Sequence, residues 1–366
     1  MKAREQQSAA EAAGLVYVCD RGPGFRRVRW GRGFRYRTTT GRWLRSATEI
    51  GRINSLVIPP AWTDAWICSQ ANGHLQATGR DERGRKQYRY HERWRRMRSE
   101  SKFTRMTDFA RALPRIRRRV RRDLARKDMS RERVLACVVR LLDVTLIRVG
   151  NDEYARENGS FGLTTLYRKH ARVDGDKLVF KYVGKSGRTH EVTVDEPRVV
   201  QIVTMCLELP NQQLFQYVDD SGLVRDVGSV DVNDYLQVVS GSAFTSKDFR
   251  TWGATVSAGR TLVAGGPPFD ESGEPLSAAA LKRRETAAVR AASEAIRNRM
   301  ATCRAYYVHP RLIDLYADGT LIEAFERARR APSPRGLRTA ERAVLHALGA
   351  ATRKAARSAG AERVAA

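Results

Sequence analysis

Long apolar runs are missing: no stretch of the 366 residues approaches the roughly 18 consecutive apolar positions of a membrane-spanning helix. The opening MKAREQQSAAEAAG has no apolar leader core, so a soluble, cytoplasmic protein is the expectation. Cysteine is scarce. Cys19, Cys68, Cys137, Cys206 and Cys303 stand far apart, odd in number, with no CxxC pair and no paired histidines. That spacing argues against a disulfide framework and a zinc site and leaves reduced, mostly buried thiols. A complete phosphate-binding loop is absent too. GKSG at 184–187 resembles the end of one, but the glycine required five positions before Gly184 is Val179, and a strand pattern follows where a helix is needed.

Negative charge is the other shortage. Lys and Arg number 67 against 40 Asp and Glu, a net charge of +27, and most of the cations are arginine. Guanidinium forks match phosphate geometry, so the balance points to a polyanion. The charge is concentrated: Arg80 to Arg131 hold 21 Lys or Arg and seven acids, interleaved with Tyr88, Tyr90, Trp94 and Phe103. Rings able to stack among phosphate-binding cations suit a nucleic-acid surface better than a merely solvated face.

The chain reads as an α+β protein. Residues 15–98 alternate short β segments with Gly, Pro and Asp clusters, which predicts a small, mainly antiparallel, β-rich domain closed by the hairpin GRDERGRKQYRY. Residues 1–14 read as a flexible tail. From 99 to 326 the pattern turns helical, with Ser130 as the expected N-cap of an apolar helix over SRERVLACVVRLLDVTLIRVG. A three-strand meander, TTLYRKHARV, KLVFKYV and RTHEVTV, interrupts the helices, which resume at Glu196. Residues 327–366, rich in Ala and Arg, read as a basic tail.

Four positions gain meaning together. Arg148 ends the apolar helix, where a cation commonly complements the helix dipole. Arg250 sits between Phe249 and Trp252, where an arginine commonly snorkels outward. Lys185 occupies a hairpin turn, and the adjacent Tyr306 and Tyr307 precede a His-Pro break. Arginines in apolar helices, a turn lysine and a late tyrosine fit one kind of phosphoryl transfer: tyrosine attacks a phosphodiester, guanidiniums clamp the non-bridging oxygens, and lysine protonates the leaving oxygen. Such chemistry needs no metal and no cofactor.

Seven ordered stretches, IPPAWTDAWIC, NGHLQATGRDERGRKQYRYH, RVGNDEYARENGSFGLTTL, VGKSG, LFQYVDD, KDFRTWGAT and YVHP, resemble the poxvirus-like type IB DNA topoisomerases in their bacterial branch. The resemblance spans roughly residues 15–325. It implies a β-rich DNA-binding domain before a helical catalytic domain, and a monomer that clamps duplex DNA, working without ATP in the cytoplasm, at the nucleoid. By the same resemblance Arg148 and Arg250 are the catalytic arginines, Lys185 the general acid, Tyr307 the nucleophile, and Asn298, nine residues earlier, the remaining catalytic position. An amide there donates a hydrogen bond but does not change charge near neutrality. The sequence departs from the family here, reading IRNRM where relatives read something like LGNTP. Tyr88 and Tyr90 become candidate DNA contacts, with Arg83, Arg85, Lys86 and Gln87 beside them.

Two rival readings share some of these features. A tyrosine recombinase shares the site, but it typically has histidine three residues before the second arginine, where this chain has Lys247. A non-catalytic basic DNA-binding protein would leave the set of Arg148, Lys185, Arg250 and Tyr307 unexplained.

Overall fold

The computed structural model describes residues 2–332 and 336–350. Contacts divide the chain into two compact units, Met1–Thr104 and Arg105–Ala366.

The first unit holds helix α1 (Lys2–Ala12), strands β1 (Gly24–Trp30) and β2 (Gly33–Arg37), helix α2 (Ala47–Ser55), and strands β3 (Thr63–Cys68), β4 (Leu75–Arg80) and β5 (Lys86–Tyr90). The strands form one antiparallel sheet in the order β2-β1-β3-β4-β5. Alternation along the strands sends Tyr36, Ile67 and Ala77 to one face, where they bury Ile53 of α2. Residues 1–14, expected as a flexible tail, instead carry helix α1 over Lys2–Ala12. The alanine-rich SAAEAA segment favours a helix, and Ala10 is fully buried with Leu15 and Trp94.

Helix α3 (Glu92–Leu124) begins several residues before the helical pattern and runs through Pro114. The second unit continues with α4 (Arg131–Thr145), α5 (Asp152–Asn158), the meander β6 (Ala171–Asp174), β7 (Lys177–Gly184) and β8 (Arg188–Val194), and α6 (Pro197–Glu208). A hairpin of β9 (Gln216–Val218) and β10 (Val224–Asp226) follows, then α7 (Ser229–Ser240), α8 (Ser246–Ala264), α9 (Ala278–Ala295), α10 (Met300–Tyr306), α11 (Arg311–Ala317), α12 (Thr320–Arg330) and α13 (339–350). The first meander strand is shorter than expected because Leu163–Thr165 and Arg168–His170 form 3-10 turns. Ser130 stands at the N-cap of α4, but its hydroxyl donates to Asp128 at 2.7 Å and leaves the helix uncapped by a side chain. Cys68, Cys137, Cys206 and Cys303 are buried thiols and Cys19 is an exposed one.

The described residues of α13 are packed, not an isolated basic segment: Ala343, Val344, Ala347 and Leu348 are buried. Alanine reads as a surface helix former, yet here it permits close approach, with Val344 packed beside Gly259 of α8. Polar contacts fasten the same helix. Arg117 on α3 donates to both carboxylate oxygens of Asp143 on α4 and both of Glu341 on α13, at 2.7–2.9 Å, and all three side chains are buried. Residues 351–366 of the expected basic tail lie outside the described residues.

Removing one carboxylate of this network leaves two buried Arg117 N–H groups unpaired, at a cost of about 3–5 kcal/mol. Glu341→Ala is therefore expected to lower the unfolding free energy by about that amount, read from the urea midpoint. A loss under about 1 kcal/mol, the range of an exposed pair, would show that α13 is not held this way.

Candidate active site

Arg148, Arg250 and Tyr307 come from three separate elements. Helix α4 ends at Leu146, whose φ of +54° puts a branched residue in the left-handed region. Gly253 on α8 makes room for it: a Cβ there would sit 2.6 Å from the Leu146 methyl carbons. The following loop carries Arg148 beneath Gly162, where any side chain would strike the Arg148 carbonyl at 2.6 Å. Leu163 and Thr164 donate backbone bonds to the Arg148 and Val149 carbonyls, at 2.9 and 2.6 Å. Asn151 then caps α5 through the Tyr154 amide at 2.7 Å.

Arg250 lies on α8 and is only 4% exposed. Its guanidinium donates to the Leu146 carbonyl and, at 2.7 Å, to the Ile296 carbonyl, tying the end of α4 to the segment after α9. Its Cζ also lies 5.8 Å from the centre of the Tyr307 ring. Burial and then the neighbouring Arg148 press its pKa downward. Burial likewise lowers that of Arg148, against the pull of Tyr307, Tyr182 and Tyr154. The two cations thus share a partly dry site facing tyrosine rings. Among the described residues neither arginine is paired with a carboxylate.

Tyr307 is the first residue beyond α10. Its amide donates to Cys303 at 2.9 Å, and its carbonyl accepts from Thr255 of α8 at 3.0 Å. Thr255 also accepts the His309 amide at 3.1 Å, so one buried hydroxyl fixes the chain on both sides of Val308. Tyr306, one position earlier on α10, is 62% exposed. The two adjacent rings have different environments, because the chain leaves the helical conformation at Tyr307.

The other two expected positions flank this cluster. Lys185 stands at the exposed tip of the β7-β8 hairpin, its ammonium 5.5 Å from the centre of the Tyr154 ring. Gly184 before it is packed against His190, whose ring a Cβ would meet at 2.4 Å. Asn298 has its side-chain oxygen tied to the Arg299 amide at 2.9 Å, which leaves its amino group to donate elsewhere. It lines an open cavity of about 660 Å³ with His190, Arg188, Arg290, Arg297 and Arg299.

Several neighbours were not legible in the sequence. Arg297 adopts φ +50° and donates to the Thr145 carbonyl at 2.9 Å, beside the Arg250 bonds. Buried Tyr182 and His190 lie within reach of Arg148, Arg250 and Arg297. Burial first, then those cations, lower the His190 pKa, so its ring is neutral at pH 7. The departure IRNRM was the one available sign of Arg297. Tyr182 and His190 looked like ordinary strand residues.

In the first unit Tyr88 and Tyr90 are 48% and 39% exposed, their rings stacked with centroids 5.9 Å apart. Asp81 organises the preceding turn by accepting the Arg83 and Arg85 amides at 3.0 Å, the Arg85 side chain and the Gln87 amide nitrogen. These bonds, Arg85 foremost, push its pKa down to about 2. Lys86 pairs with Asp20 and lies 5.7 Å from the Tyr88 ring centre. The Arg83 side chain is exposed. Among the described residues, no three His, Cys, Asp or Glu side chains are grouped to hold a metal ion, and no helix is long and apolar enough to cross a membrane.

The chain resembles known proteins across both units. Residues 91–309 match the family described as eukaryotic DNA topoisomerase I, catalytic core, and residues 33–81 match bacterial DNA topoisomerase IB, N-terminal domain. It is 35% identical over 212 residues to DNA topoisomerase 1B of Acanthamoeba polyphaga mimivirus, covering 57% of this chain and 63% of that protein. It is 30% identical over 144 residues to DNA topoisomerase 1B of vaccinia virus (strain Copenhagen), covering 37% of this chain and 45% of that one. The matches thus span less than two thirds of these relatives' lengths. A match over more than half its residues, on a fold that gathers Arg148, Arg250 and Tyr307, shows that the chain belongs to the type IB DNA topoisomerase family.

Proposed function

We propose that this protein relaxes supercoiled duplex DNA by breaking and rejoining one strand through Tyr307, without ATP and without an obligatory metal. The observation that carries the reading is the Tyr307 ring, 5.8 Å from the guanidinium carbon of a buried arginine whose hydrogen bonds go to neutral carbonyls. Those bonds fix the guanidinium without neutralising it, so its charge remains for a phosphate.

In this reading the Tyr307 hydroxyl gives up its proton to solvent as its oxygen attacks a backbone phosphorus, forming a 3′-phosphotyrosyl ester while the bond to the 5′ oxygen breaks. Arg148 and Arg250 stabilise the charge that builds on the non-bridging oxygens, and the Asn298 amino group adds a neutral donor. Lys185 gives its proton to the departing 5′ oxygen and takes it back on rejoining. The ester keeps the energy of the broken bond, so the free end rotates and religates with no nucleotide spent. Tyr88, Tyr90, Arg83, Arg85, Lys86 and Gln87 would meet the duplex from the first unit, in a monomer acting in the cytoplasm at the nucleoid. The recombinase and packaging alternatives gain no support from the comparisons.

Supercoiled plasmid incubated with the purified chain in EDTA, without ATP, is expected to run as relaxed topoisomers; unchanged supercoils would overturn the reading. Tyr307→Phe is expected to abolish relaxation while keeping duplex binding, and Tyr306→Phe to retain relaxation. A dead Tyr306 variant would move the nucleophile and with it the Asn298 assignment. Arg250→Ala is expected to slow single-turnover cleavage about 10²–10³-fold, as for loss of one preorganised donor. Lys185→Ala is expected to slow it about 10²–10⁴-fold. A sulfur at the bridging 5′ position makes the leaving group a thiol, with a pKa near 8.5. That substrate is expected to restore cleavage by Lys185→Ala but not by Arg250→Ala; equal rescue of both would remove the general-acid role.

A further inference from the structure

Residues 21–48 contain nine arginines and no lysine, aspartate or glutamate. Among the described residues none of the nine forms an ion pair; the nearest pairs along the chain are Lys86–Asp20 and Arg52–Glu49. This segment builds β1, β2 and the turn between them, one end of the five-stranded sheet.

Register sorts its side chains. Arg26 lies opposite Arg37, Val28 opposite Arg35, and Trp30 opposite Gly33, so these residues share one face. The other face gives Phe25 and Tyr36 to the core. On the solvent face, the Arg35 guanidinium lies 4.9 Å from the Trp30 ring centre and 4.6 Å from that of Trp43, and Arg37 lies 4.7 Å from Trp43. The indoles meet edge to face at 5.5 Å. Trp30 nonetheless remains 56% exposed.

The same face continues across the sheet. Arg26 is in register with Trp66, Trp66 with Thr78, and Thr78 with Tyr88. Trp66 is covered, donating to the Gly22 carbonyl. The face therefore carries two separate open aromatic groups, Tyr88 with Tyr90 at one edge and Trp30 with Trp43 at the other.

An indole held by cation–π contacts is rigid yet keeps open ring surface, and the surrounding arginines have no carboxylate to neutralise them. A duplex can use those cations through its phosphates, but its bases are already stacked on each other. Unpaired bases can use both the ring and the charge.

We propose that Trp30, Trp43, Arg26, Arg35 and Arg37 form a binding strip for single-stranded DNA, stacking an unpaired base on Trp30 and taking flanking phosphates on the arginines. The strip is independent of the Tyr307 reaction, and the test does not read strand cleavage.

The full chain is titrated into a fluorescently labelled oligo(dT) of about 15 nucleotides, the size of one extended single-strand site, and in parallel into a labelled hairpin duplex. Trp30→Ala is expected to weaken oligo(dT) binding about tenfold, the loss of one stacked base, and to change duplex binding less than about twofold. Trp30→Phe, which keeps a ring and guards against misfolding of the alanine variant, is expected to stay within about threefold of the unsubstituted chain. Unchanged oligo(dT) affinity in both Trp30→Ala and Trp43→Ala would overturn the proposal. So would an equal loss on the duplex, or a Trp30→Phe defect as large as that of alanine.

Discussion

The site depends on the way Arg250 spends its hydrogen bonds. Its guanidinium donates to the Leu146 carbonyl at the end of α4 and the Ile296 carbonyl after α9, and lies 5.8 Å from the centre of the Tyr307 ring. Two elements distant in sequence are thus tied together beside the tyrosine by one planar group. The geometry has a backbone cost: Leu146 and Arg297 both adopt positive φ, and Gly253 has no side chain because Leu146 fills that space. Arg297 repeats the device by donating to the Thr145 carbonyl one residue before Leu146.

Arg117 is a useful contrast. It too is a buried arginine, but its donors go to Asp143 and Glu341, so the charge is cancelled and the group serves packing. Arg250 is satisfied by carbonyls and remains a net cation beside Arg148. Burying two like charges this way is unfavourable in isolation, and an anion between them relieves it. Under the proposed function, the cost of burying these two cations and affinity for a phosphate would be two aspects of one arrangement. The first unit shows the same logic at its surface, where nine arginines from 21 to 48 have no acidic partner.

Much of this was legible in the sequence because it rests on local patterns. Alternation gave the β-rich first unit, apolar periodicity gave α4, and family motifs named Arg148, Lys185, Arg250, Asn298 and Tyr307. What escaped was either weak locally or fixed by tertiary contact. The β9-β10 strands are three residues each, too short for alternation to register among helices. The order of α1 and α13 comes from small alanines meeting a surface that the sequence does not display. Tyr182 and His190 owe their place near the site to strand pairing, which aligns them directly across β7 and β8. Trp30 and Trp43 belong together only because the chain reverses after β2, setting Trp43 opposite Arg37 and near the end of β1.

The most direct test of the central claim is to identify the residue that becomes joined to DNA. The chain is trapped with denaturant on a duplex substrate, digested, and the nucleotide-bearing peptide sequenced by mass spectrometry. The account requires a 3′-phosphoryl nucleotide on Tyr307. An adduct on Tyr306 or any other residue, or no adduct from an active preparation, would contradict it.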